Sequence, residues 1–214
     1  MMPLDDIRVY LPKYLSSENY EQLISELRSF PTNIDKRMFT SGLERDIIYQ
    51  GDGLRDMPVV NIEDLSLGVK YRPCMVISNT CDMDLANTRL FPTTILYTPI
   101  VELSNYVKVL EKYGATADKI KNHIADVKAQ KVSSMFYLPS TGDMEESIVF
   151  LDRILNVSQK YVDRNSVDNR RLFSLSDYGF YLFVFKMSMH LSRIREGVNR
   201  GAMYQPSHII HNRT

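Results

Sequence analysis

Between Tyr71 and Val101 the chain reads YRPCMVISNTCDMDLANTRLFPTTILYTPIV. Two runs in it, Cys74–Ser78 and Thr93–Val101, are rich in β-branched, aromatic and other apolar residues and predict a pair of buried strands. The residues between them are polar, and both cysteines of the chain fall within the stretch. Asn and Asp favour turns because their side chains bond to nearby backbone, so the segment after Ser78 reads as the turn between two strands. The same residues, with Arg72 just before the first strand, also suit a ligand site.

Reading outward from this pair, β-type runs also occur at Asp46–Gln50, Pro58–Ile62, Ser133–Leu138 and Ser147–Val157. Short strands at this spacing predict a small barrel. Two helices are expected between the strands. Ser104–Tyr113 stops at Gly114, and Thr116–Gln130 opens on a Thr cap with Ile120, Ile124 and Val127 along one face. They form an αα-hairpin inserted at about 102–131. A long core helix is expected over 175–195, where Leu175, Tyr178, Leu182, Phe185 and Met189 recur at helical spacing behind Ser174. Upstream, Ser17–Phe30 reads as an amphipathic helix ended by Pro31. The expected organisation is a helical extension over 1–45, one domain over 46–196 and a polar tail over 197–214, which carries His208 and His211 as surface residues.

The chain has 214 residues, 44% of them hydrophobic, which suits one sizeable core. Lys plus Arg and Asp plus Glu number 26 each, so no net field draws the protein to nucleic acid or anionic lipid, and any such binding requires a local patch. The longest apolar run, Tyr178–Phe185, falls far short of the roughly 20 residues that span a bilayer, and no signal-type segment opens the chain. A cytoplasmic protein without membrane contact is expected, with Cys74 and Cys81 as free thiols.

The order strand, Gly51-Asp52, strand, Arg72-Pro73, apolar strand to Ser78-Asn79, polar loop and Phe91–Ile100 resembles the MazF/PemK family of toxin endoribonucleases. The likeness resumes at Glu145–Val162 and in the C-terminal helix, and covers about 46–101 and 133–195. It implies an α+β fold built on a small SH3-like barrel, a homodimer, an antitoxin or other protein partner, single-stranded RNA as substrate, and chemistry without metal or cofactor. It places Arg72 at the family's catalytic arginine, where a planar, permanently charged fork suits a phosphate gaining charge. The family's catalytic Thr is replaced by Ile100. Thr98, two residues earlier and so on the same strand face, is the nearest hydroxyl.

Two functions follow. One is a toxin-type endoribonuclease with Arg72, Thr98 and Asp82 as catalytic residues. In it Lys70 and Arg89 extend the basic patch, and Ser78, Asn79, Thr80 and Cys81 form a recognition loop. The other is a non-catalytic MazF-like binding or regulatory component of a toxin–antitoxin or phage-defence system. A straight strand rises about 3.3 Å per residue, so Arg72 and Ser78 stand roughly 20 Å apart on an unbent strand, and two separate clusters are expected.

Overall fold

The computed structural model describes Ser25 and residues 37–61, 64–87, 89–91 and 93–191. The helix expected over 17–30, the tail over 197–214 and the helix end beyond Leu191 lie outside the described residues. Within them the chain is α+β. Strands β1 (Phe39–Thr40), β2 (Gly53–Val60), β3 (Val69–Val76), β4 (Thr94–Glu102), β5 (Met135–Leu138), β6 (Ser147–Phe150), β7 (Leu155–Ser158) and β8 (Arg171–Leu175) form one open antiparallel sheet. Its order is β1-β8-β2-β3-β4-β6-β5, with β7 paired to β4 beside β6. Helices α1 (Thr80–Met83), α2 (Leu103–Lys112), α3 (Ala117–Lys128), α4 (Val167–Arg170) and α5 (Asp177–Leu191) connect and cover it.

The runs Cys74–Ser78 and Thr93–Val101 are strands, and β3 is buried on both faces over its last three residues. Cys74 and Val76 enter a core with Leu54, Met57, Ile95, Tyr97, Val162 and Val167. Met75 points the other way, into a larger core of Phe136, Ile148, Leu175, Tyr178 and Phe183. Full burial on both sides explains why this run is continuously apolar and does not alternate. The two inserted helices are part of the larger core. Leu103 and Val127 are buried in it, and Lys128 of α3 holds Glu146 at 2.6 and 2.8 Å while the Tyr137 hydroxyl donates to the same carboxylate at 2.5 Å.

Several boundaries differ from the sequence reading, each for a local reason. Asp46–Gln50 is loop, because its polar groups are captured from elsewhere. The Gln50 N–H donates to Thr80 Oγ1, and the Tyr49 N–H donates to the Asp52 carboxylate. Asp52 also accepts from the Ser174 hydroxyl at 2.5 Å and from Arg171 at 3.3 Å, wholly out of solvent. Burial pushes its carboxyl above the ordinary range, against the opposing pull of Ser174, Tyr49 and Arg171. Ser174 therefore sits in β8, a strand the sequence reading merged into the helix. The α5 cap is Ser176, whose Oγ accepts from Gly179 N–H at 3.1 Å. Strand β2 starts at Gly53, five residues before the expected Pro58, and carries a bulge. Leu54 stands opposite Cys74 but Met57 stands opposite Arg72, so Arg55 and Asp56 together face Pro73. Asp56 takes φ +56°, and the Arg170 guanidinium gathers the carbonyls of Arg55 and Asp56 at 3.0 and 2.8 Å.

The expected strand Ser147–Val157 is two strands. β7 pairs with the first half of β4 (Tyr97 opposite Leu155) and β6 with the second half (Ile100 opposite Val149). From Tyr97 to Ile100, β4 advances three residues while its partner retreats six, from Leu155 to Val149, so three extra residues are expelled as a bulge that carries Asp152 and Arg153. One step along the β6 register puts Pro99 opposite Phe150. Proline has no N–H to give the Phe150 carbonyl. The neighbouring Thr98 hydroxyl, wholly buried, donates to that carbonyl at 2.8 Å in its place.

The Phe150 carbonyl also accepts from the Arg153 N–H at 3.2 Å, so Thr98→Val is expected to destabilise the fold by about 1 kcal/mol, the net worth of one hydrogen bond. The loss should shrink in the Pro99→Ala background, where a backbone N–H returns. Equal losses in both backgrounds, by urea unfolding, would show that the hydroxyl does not substitute for the missing donor.

Lys186 of α5 is 6% exposed and donates to the backbone and side-chain oxygens of Gln130 at 2.9 and 2.8 Å. Burial drags its ammonium down to about 7. The unfolded lysine, near 10.4, holds its proton up to higher pH, so this group's stability contribution rises with pH between about 7 and 10. Cys74 works in the opposite direction, because burial pushes its thiol up to about 12. The stability difference between wild type and Lys186→Met should therefore move in favour of wild type by about 1 kcal/mol per pH unit between roughly pH 8 and 9.5. Denaturant titrations of both proteins across that window test it, and parallel curves would refute the assignment.

Candidate functional site

β3 and β4 pair only where Cys74, Met75 and Val76 face Pro99, Thr98 and Tyr97. The ladder ends there because Pro73 has no N–H to give the Ile100 carbonyl. The strands part there, and the fork opens into a groove of about 1310 Å³. One wall carries Arg72 and Pro73 of β3 and the end of β2. The other carries Ile100 to Glu102 of β4, Asn105 of α2, and the bulge with Asp152 and Arg153.

The groove holds two cations of unusual freedom. Arg72 is exposed, and among the described residues no hydrogen bond or ion pair engages its guanidinium. Arg153 has no such partner either. Its guanidinium lies over the Phe150 ring, 3.9 Å from the centroid, which holds a long side chain in place without using its donors. Four carboxylates share the lining. Glu102 accepts from Asn105 at 3.1 Å and Asp143 lies 3.7 Å from Arg55, while Glu145 and Asp152 have no side-chain partner among the described residues.

The polar loop after Ser78 lies against a different hollow, of about 610 Å³, lined by Ser78, Asn79, Asp82, Arg89 and Phe91. Almost every polar group singled out there is spent on the loop itself. The Ser78 hydroxyl accepts from Leu96 N–H at 2.8 Å and donates to the Thr94 carbonyl at 3.3 Å. Asn79 caps α1 by accepting from Cys81 N–H, Thr80 accepts from Gln50 N–H, and Asp82 pairs with Arg89. Cross-bracing continues from outside, since Gln159 and Arg164 both donate to the Met83 carbonyl, at 2.5 and 2.7 Å. The Cys81 thiol is exposed, and the His123 ring nitrogen is engaged elsewhere, 2.9 Å from the Tyr106 hydroxyl.

The structure thus separates the residues that the sequence grouped. Arg72 stands in one groove, Asp82 and Arg89 in another hollow, and Thr98 is wholly buried with its hydroxyl on the Phe150 carbonyl. Lys70 is exposed on the same face of β3 as Arg72 but lies beyond the groove lining. Arg153, Glu145 and Asp152 were missed by the sequence reading. The adjacent charges Asp152-Arg153 inside an otherwise apolar run were the available sign that the strand breaks there. No protein-family model matches the chain, and no curated protein sequence matches it. Among the described residues no helix is long and apolar enough to cross a membrane.

The two thiols should differ sharply in reactivity. Iodoacetamide at neutral pH is expected to label Cys81 in the folded protein and Cys74 only on unfolding, because Cys74 is fully buried. Mass spectrometry of native and denatured samples reads this directly, and native labelling of Cys74 would refute it.

Proposed function

We propose that the chain is a MazF/PemK-like protein that takes single-stranded RNA into the β3–β4 groove. The observation that carries the reading is that two guanidiniums without partners, from β3 and from the β6–β7 bulge, line one groove. Arginine in this state is matched to phosphate, and an arginine on an aromatic ring is also a stacking surface for a base. The interspersed carboxylates disfavour a duplex with its dense phosphates and leave room for a single strand touched at few points. On this reading β2, β3, β4 and β7, curled around the core of Leu54, Cys74, Ile95 and Tyr97, are the small SH3-like barrel. The same reading expects a homodimer and a small antitoxin-like partner in the cytoplasm.

Metal-independent cleavage needs a base for the 2′-hydroxyl and a cation for the phosphate. Arg72 or Arg153 fits the second role. The first does not fall to Thr98, whose hydroxyl serves Phe150, nor to Asp82, which is held by Arg89 outside this groove. It falls to Glu145 or Asp152. The second reading, a binding component without catalysis, is favoured by the scattering of the expected catalytic set.

Short single-stranded RNA oligomers, followed by fluorescence anisotropy with EDTA present, should bind the wild-type protein. Arg72→Ala and Arg153→Ala should each weaken binding about tenfold and lower the salt slope by about 0.7, the single-strand value for one phosphate contact. Asp82→Asn should bind as wild type. Cleavage lost in Glu145→Gln or Asp152→Asn supports the endoribonuclease. Binding without cleavage leaves the second reading, and absence of RNA binding ends the first.

A further inference from the structure

Helix α5 is inside out with respect to charge. Between Tyr178 and Leu191 its only Asp, Glu, Lys or Arg is Lys186, and that residue lies in the core with Tyr178, Leu182, Phe183 and Met187. Phe180, Tyr181, Val184, Phe185, Ser188 and Leu191 recur at helical spacing on the side away from the core. Phe185 and Leu191 are 52% and 66% exposed. A helix at a protein surface normally turns charge outward, so a continuous apolar outer face is a surface made to be covered.

We propose that residues 17–30 of the same chain cover this face as a helix running antiparallel to α5. The chain enters the described fold beside the start of α5. The Met38 carbonyl accepts from the Ser176 N–H at 2.9 Å, the Arg37 carbonyl accepts from the Ser176 hydroxyl, and Met38 is buried in the larger core. Gly179 permits this approach, since a Cβ there would collide with the Met38 carbonyl. The six residues between Phe30 and Arg37 reach about 20 Å only if fully extended, and Arg37 is already helical. Phe30 therefore stays towards the starting end of α5, and a helix laid on the outer face that ends there runs back along it. Lengths agree, because residues 17–30 make about 21 Å of helix and the 15 residues of α5 make about 22 Å. So does the pattern. Tyr20, Leu23, Ile24, Leu27 and Phe30 form one apolar stripe, and Ser25, which falls opposite it, is helical and exposed. The tether gives this segment a high effective concentration at the face, ahead of any second molecule. The docking is independent of RNA binding.

Hydrogen exchange of the full chain, read residue by residue by NMR, tests the contact. An isolated helix this short is marginal in water, so docking is what should slow exchange of the amides of residues 20–30 by about tenfold or more relative to unstructured chain. Phe185→Glu, at an exposed position, should abolish that protection while the Leu182 amide stays protected. Leu23→Glu combined with Leu27→Glu should do the same, and Ser25→Glu, on the opposite face, should not. With Phe30 beside Tyr178, Tyr20 falls beside Ser188. In a Cys81→Ser background, Tyr20→Cys should therefore form a disulfide with Ser188→Cys and not with Asp177→Cys. Absence of protection in the wild type, protection that survives Phe185→Glu, equal loss in Ser25→Glu, or the opposite disulfide pattern would overturn the proposal. So would protection that disappears on dilution as a dimer dissociates, because the face would then belong to a second copy.

Discussion

One side-chain hydrogen bond lets β4 hold three neighbours. A strand can normally keep one partner on each edge, but β4 has β3 on one edge and, on the other, β7 for its first half and β6 for its second. The exchange of β7 for β6 happens at Pro99, where the ladder lacks a donor, and the Thr98 hydroxyl supplies it to Phe150. Without that bond the Phe150 carbonyl would keep only the longer bond from the Arg153 N–H, at 3.2 Å. The same exchange expels the bulge that brings Arg153 to the groove. The hydroxyl that the family resemblance offered as a catalytic group is buried and donates to the Phe150 carbonyl.

Two further buried polar clusters tie distant segments together. Asp52, Ser174 and Arg171 pin the loop before β2 to β8, and Arg171 also reaches the carbonyl of Glu44 at 3.2 Å. Lys186, Gln130 and Tyr137 join α5 to the end of α3 and to β5. The first cluster balances a carboxylate against a guanidinium. The second buries an ammonium against neutral oxygens only, which is why its charge is so weakly held.

Much of the fold was legible because burial leaves a direct trace in sequence. The run Cys74–Ile77 is apolar because both its faces are covered, and α3 shows its stripe because only one of its faces is. Misreadings arose where a long-range bond decides the matter. Ile47 and Ile48 look like strand, yet capture of Gln50 by Thr80 and of Tyr49 by Asp52 holds the segment as loop. Ser174 looks like a helix cap until Asp52, far away in the chain, claims it. The candidate site was half legible. Arg72 and the proline beside it were visible, and the separation of Arg72 from the Ser78 loop followed from strand rise alone. Arg153 was hidden because its position depends on a register shift between strands, which no local pattern encodes.

The place of β8 in the sheet dictates the order in which the protein can assemble. This strand comes from residues 171–175 yet lies between β1 and β2, near the start of the described chain. Closing that side of the sheet joins segments more than a hundred residues apart, a slow, non-local step. On the ribosome, β2, β3 and β4 emerge and can pair while the edge of β2 waits and the Asp52 carboxylate has neither Ser174 nor Arg171. Until the C-terminal third is synthesised, the nascent chain carries an open strand edge and an unsatisfied acid side by side, the state in which it is most exposed to mispairing.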